Sequence, residues 1–158
     1  MNLTKYSFRQ GEIILNSKAT LKKEIEEILK DINVDFGYEK KGIPSLHRVI
    51  QKKFKEKGWK IEEKISDKDE RRFDIYNEQG KVGIELEFTN VAFIYRTFLK
   101  FLLGYNEDKI EIGVLITFDR KTMKSFKYER ADTQRVIQEL KKLRPIIGVP
   151  IWVLGVKR

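Results

Sequence analysis

The stretch Val82 to Phe88, Val-Gly-Ile-Glu-Leu-Glu-Phe, constrains this chain more than any other part of it. In an extended strand successive side chains point to opposite faces. Val82, Ile84, Leu86 and Phe88 therefore share one face, and Gly83, Glu85 and Glu87 share the other. The preceding run, Arg72 to Tyr76, also alternates. Between the two lies the polar segment Asn77-Glu78-Gln79-Gly80, ending in a residue that tolerates positive φ, so the pair reads as a β-hairpin. Matching Phe73 and Ile75 to the apolar face puts Asp74 on the face of Glu85 and Glu87, and a two-residue turn at Gln79-Gly80 sets Asp74 opposite Glu85.

A sheet gains nothing from holding like charges opposite one another. A hard divalent cation removes the conflict: Mg²⁺ takes oxygen ligands and is usually held by one or two carboxylates together with substrate phosphate oxygens. The competing reading is a solvated strand face whose acids serve solubility. Against it, Glu is a poor strand former, this strand is otherwise strongly apolar, and Asp74 joins the same face from the neighbouring strand.

The rest of the composition narrows the chemistry. At 158 residues, 41% hydrophobic and 36% charged, the chain is expected to form one globular domain. It has no apolar run long enough to cross a bilayer and no signal-peptide core, which sets a cytoplasmic location and no membrane partner as the expectation. Absence of cysteine excludes disulfides and thiolate metal sites. A single histidine, His47, argues against histidine-based zinc and against a His-dependent triad. A net charge of +9 and a pI near 9.6 favour a polyanionic partner around an acidic centre, as a nuclease requires.

Along the chain, residues 1–19 have no clear period. Thr20 to Asp31 has helical spacing (Leu21, Ile25, Ile28, Leu29) with Thr20 as N-cap and Glu24 near enough for a capping interaction. Asn33 to Ile43 reads as a linker. Ser45 is placed as the N-cap of a second helix, striped by Leu46, Val49, Ile50 and Phe54 and ended by Gly58. His47, in its first turn, reads as a surface or half-buried histidine. A strand through Trp59, Ile61 and Ile65 leads to the hairpin. Asn90 is expected to cap a buried helix from Val91 to Tyr105, and Glu111 to Phe118 is a central strand. Asp119 to Arg130 is basic and aromatic, with Arg120, Lys121, Lys124, Lys127 and Arg130 interleaved with Phe126 and Tyr128. It reads either as a DNA contact or as a solvated loop. A helix over Ala131 to Leu143 and a strand over Val149 to Val156 close the chain.

The element order and the acids resemble the PD-(D/E)XK nuclease superfamily. In particular, Gly83-Ile84-Glu85-Leu86-Glu87-Phe88, the helix with Phe98-Leu99-Lys100-Phe101 and the strand Ile112-Gly113-Val114-Leu115-Ile116 look like the BamHI/BglII/BstYI group of type II restriction endonucleases. The resemblance covers roughly residues 45–156. It implies an α/β (α+β) fold, a restriction-endonuclease-like mixed β-sheet with an αβββαβ core flanked by helices. Residues 44–158 would be the catalytic core and residues 1–43 an N-terminal extension with one helix.

The resemblance also implies the chemistry: Asp74 and Glu85 as metal ligands for Mg²⁺, with Mn²⁺ able to substitute, and Glu87 as the third catalytic residue in place of the commoner lysine. Lys81 and the basic segment would contact phosphates. The implied activity is metal-dependent hydrolysis of phosphodiester bonds in double-stranded DNA by a homodimer. A repair or recombination nuclease that reads DNA structure, or a non-catalytic nucleic-acid-binding module, are the alternatives.

Overall fold

The computed structural model describes residues 1–18, 20–32, 42–126 and 130–157, with residues 42–44 by backbone alone. Most of the linker expected over Asn33 to Ile43, together with Lys127, lies outside the described residues. The elements are β1 (Asn2–Phe8), α1 (Gly11–Asn16), α2 (Leu21–Lys30), α3 (Gly42–Glu56), β2 (Lys60–Ser66), β3 (Asp69–Asn77), β4 (Val82–Leu86), α4 (Val91–Asn106), β5 (Ile112–Phe118), α5 (Arg120–Lys124), α6 (Thr133–Lys142) and β6 (Ile151–Lys157). From α3 onward this is the expected order, with the short helix α5 added where the basic segment begins.

Six strands form one sheet in the order β1-β6-β5-β4-β3-β2. The β4–β5 and β5–β6 pairs are parallel and the other three antiparallel, so the sheet is mixed. The unclassified N-terminal residues supply its edge strand β1, paired with β6 from Asn2↔Lys157 to Phe8↔Ile151, and the helix α1, so the expected one-helix extension instead holds, among its described residues, two helices and a strand of the main sheet. Helices cover both faces. Leu15, Ile25, Ile28, Leu46, Ile50 and Phe54 of α1–α3 pack on Val82, Ile84, Leu86, Val114, Ile116 and Trp152. Ile94, Phe98 and Phe101 of α4 with Val136 and Leu140 of α6 pack on Leu115, Ile151 and Val153. That two-sided cover explains why β5 is a near-continuous apolar run, buried at every position.

Several local expectations are revised by the packing. Thr20 does precede α2, but its side chain makes no capping hydrogen bond, and Glu24 accepts instead from the Trp59 indole N–H. Helix α3 begins at Gly42, so Ser45 lies inside it rather than at its N-cap, and Pro44 occupies the first turn, where its missing N–H costs nothing. Gly58 terminates the helical segment at φ 85°, as expected. In the hairpin the left-handed residue is Lys81 (φ 49°), not Gly80. A Cβ on Gly80 would lie 2.2 Å from the Leu21 side chain, so the glycine serves the packing of α2 over the turn. Asn90 caps α4 by accepting from the Ala92 N–H, as its position predicts.

Candidate active site

Strand β4 places the acids by parity. Its even residues enter the core beneath α1–α3, so Glu85 and Glu87 turn toward the face carrying α4. Both are buried, at 4% and 8% exposure, which rules out the solvated strand face for them. Asp74 reaches them by a route the alternation did not describe. Ile75 packs in the layer under α1–α3, whereas Phe73 packs on the other side, stacked on Phe101 and Tyr76. Phe73 and Ile75 therefore do not share a face. Phe73 crosses over because Gly83 and Gly104 leave room for its ring: a Cβ there would lie 3.0 Å and 2.5 Å from it.

The hairpin register explains how Asp74 still meets Glu85. The β3–β4 ladder runs Asn77↔Val82, Tyr76↔Gly83, Ile75↔Ile84, and one further step in that register sets Asp74 opposite Glu85. Side chains take over where the ladder stops. The Leu86 N–H donates to Asp74 Oδ2 at 2.8 Å, and the Asp74 N–H donates to Glu85 Oε1 at 3.3 Å. The strands part at this point and the two carboxylates occupy the fork. Glu87 is held just beyond, accepting from the Thr89 N–H (2.9 Å) and hydroxyl (2.7 Å) at Oε1.

Two further residues complete the site, and the sequence reading had given neither a role. Lys100, buried on α4, donates from Nζ to Glu85 Oε2 at 2.7 Å. His47, on α3, lies with Nε2 3.5 Å from Asp74 Oδ2, and Gln51 one turn later donates to the Asp74 carbonyl. Asp74, Glu85, Glu87, His47 and Lys100 line one cavity of about 280 Å³, with Thr89, Phe93, Arg96 and Thr97 around them. A signal for Lys100 existed: it is a lysine between Phe98 and Phe101 on the buried side of a largely apolar helix, a position that demands a carboxylate partner.

The electrostatics follow from burial and crowding. Desolvation, joined by the Asp74 charge, pushes the Glu85 carboxyl up to about 8 even with Lys100 beside it. Burial also raises Glu87, against the hydrogen bonds from Thr89. For His47 burial works downward, but the hydrogen bond and charge of Asp74 prevail and raise it. A pocket that strains its carboxylates toward the neutral form suits a cation. Among the described residues no three acidic or imidazole side chains are gathered on one cation position.

The basic residues divide. Glu87 N donates to Ile116 O (2.9 Å) and Ala131 N donates to Thr89 O (3.1 Å), which ties the acids' end of β4 to the carboxyl end of β5 and to the residues just before α6. Lys121 and Lys124 are exposed on α5. Arg120 is anchored on Asp132 at 2.8 Å, and Arg130 lies over the Phe126 ring at 5.1 Å. Lys81 is not brought to the site. It stands six residues before Glu87, about 20 Å away along the strand, and pairs with Asp108 at 2.9 Å.

The family model for restriction endonuclease BglII/BglIII matches residues 3–156. Two solved structures are similar in fold: the crystal structure of restriction endonuclease BglII complexed with a DNA 16-mer (TM-score 0.83, 17% identity, covering 100% of this chain and 79% of that one) and the crystal structure of free BglII (TM-score 0.73, 19% identity, 100% and 80%). Among curated proteins none matches. With a family match over nearly its whole length, the chain belongs to the BglII/BglIII family of restriction endonucleases, and its activity is type II restriction-endonuclease-like cleavage of DNA.

Proposed function

We propose that the chain is a single-domain, Mg²⁺-dependent endodeoxyribonuclease, with Mn²⁺ able to substitute, that cuts both strands of duplex DNA as a cytoplasmic homodimer. The observation that carries this reading is the convergence of three carboxylates, Asp74, Glu85 and Glu87, in one pocket. The donors are all oxygen apart from His47, which fits a hard cation and not zinc. Asp74 and Glu85 would hold it, with Lys100 sharing Glu85. A divalent ion there supplies neutralisation of charge on the scissile phosphate and acidification of a bound water.

The chain's own residues do the rest. Glu87, fixed at Oε1 by Thr89, presents Oε2 to the attacking water and takes its proton as the new P–O bond forms. The bond to the leaving sugar oxygen breaks, and that oxygen is protonated from solvent. Lys121 and Lys124 bind phosphates along the duplex. Among the described residues no helix is long and apolar enough to cross a membrane.

BglII was crystallised with a DNA 16-mer, which supports duplex DNA as the partner here. Cutting both strands calls for two sites related by a two-fold axis. Helix α4 offers a surface for a second copy of this chain: one side carries Thr97 and Lys100 toward the acids, while Tyr95 and Leu99 are 42% and 53% exposed. The deciding experiment is digestion of mixed-sequence DNA with Mg²⁺ followed by sequencing of the ends. Ends at one recurrent sequence support the proposal. Cutting confined to branched or damaged DNA, or binding without cutting, overturns it in favour of a structure-reading nuclease or a binding module.

A further inference from the structure

Helix α4 turns one stripe toward the acids. Phe93, Arg96, Thr97 and Lys100, spaced i, i+3, i+4 and i+7, all line the pocket of Asp74, Glu85 and Glu87. Lys100 is committed to Glu85 at the buried end of that stripe. Arg96, one turn earlier, is exposed at the pocket mouth and forms no ion pair among the described residues, although three carboxylates line the same cavity. An arginine there faces an approaching polyanion with its fork of donors unused. The need for one is plain: a phosphodiester moving toward Asp74 and Glu87 adds negative charge to an already acidic pocket, whose lysine, Lys100, is already held by Glu85. Guanidinium matches phosphate oxygens in a bidentate fork, which an ammonium cannot do.

We propose that Arg96 grips the phosphodiester as it enters the acidic pocket, supplying from α4 a positive charge that Lys100, held by Glu85, does not. The proposal rests on the nuclease reading above and assigns it one more substrate-contacting residue. Its test uses fluorescence anisotropy of a labelled duplex with the full-length chain carrying Glu87→Gln, in Mg²⁺, over a series of salt concentrations. Adding Arg96→Ala should weaken binding about tenfold and lower the slope of log K against log salt by about one, the signature of one lost phosphate contact. Arg96→Lys should restore the slope, which counts charge, but only part of the affinity, which also reads the bidentate geometry. The melting temperature should not move, because the side chain is exposed. Unchanged affinity and slope in Arg96→Ala overturn the proposal while leaving the nuclease reading intact. Absence of DNA binding both in the Glu87→Gln parent and in the wild type overturns both.

Discussion

Glu87 can be separated experimentally from its neighbours, because it alone of the three acids has one oxygen tied to Thr89 and no strand partner across the fork. If it handles the water, Glu87→Gln should keep metal-supported DNA binding and slow single-turnover cleavage by about a hundredfold or more. Wild-type rates in that variant would sink the assignment. Asp74→Asn should instead erase most of the rise in melting temperature that Mg²⁺ produces, and equal stabilisation in both proteins would move the metal elsewhere. Glu85 adds a pH signature. With its carboxyl at about 8 against an ordinary 4.5, the metal-free folded protein holds this proton more tightly than the unfolded chain does, so its contribution makes stability fall as pH rises from 4.5 toward 8. Metal must displace that proton. Apparent Mg²⁺ affinity should therefore climb by up to about tenfold per unit below pH 8 and level off above it, and calorimetric titrations giving a flat profile would contradict the burial argument. That Glu85 and Glu87 share a face was legible in the sequence because parity along a strand is a local rule, and that Asp74 meets Glu85 because the turn at Gln79-Gly80 sets the hairpin register. His47 and Lys100 were not, since each comes from a helix packed on a different face of the sheet and meets the acids only in the tertiary structure.

At the scale of elements, the fork between β3 and β4 depends on a ring that sits out of pattern. Phe73 is fully buried against Gly83 and Gly104, and it precedes Asp74 directly. Alternation predicted Phe73 beside Ile75. It failed because two glycines, distant in sequence, open a slot on the opposite side, and no periodicity reports a slot. Gly104→Ala tests the dependence. Replacing a glycine in the last turn of a helix favours the helix by at most about 1 kcal/mol. The added Cβ, however, meets the Phe73 ring at 2.5 Å, where the ring is stacked on Phe101 and Tyr76 and cannot swing away. Overpacking of about 1–3 kcal/mol should win, so thermal denaturation should show a melting temperature lowered by a few degrees and cleavage should fall as Asp74 shifts. A stabilised, fully active Gly104→Ala would show that the slot is slack. Elements fixed by caps and local spacing, such as α4 behind Asn90 and β5 between its covering helices, were read nearly to the residue. Edge strand β1 was not, because its pairing with β6 joins residues at opposite ends of the chain and nothing local marks it.

For the whole molecule, the proposed homodimer would make α4 the link between catalysis and assembly. Its inward stripe reaches Glu85 through Lys100, and its outward side exposes Leu99 next to Tyr95, whose hydroxyl is fixed on Glu139 of α6 at 2.8 Å. A second copy seated on that side would bring two acid pockets to one duplex, each serving one strand, with the +9 charge of each chain spread around them. Leu99→Glu places a carboxylate at the centre of such a contact without touching the pocket, so it should leave the fold intact while separating the copies. Sedimentation should show a dimer for the wild type and a monomer for the variant. On supercoiled plasmid carrying the recognised sequence, the wild type should pass quickly to linear DNA, whereas Leu99→Glu should accumulate nicked circles because its single sites cut strands independently. A Leu99→Glu protein that stays dimeric and linearises plasmid would place the interface elsewhere. A wild type that remains monomeric on DNA, nicking one strand at a time, would remove the homodimer altogether.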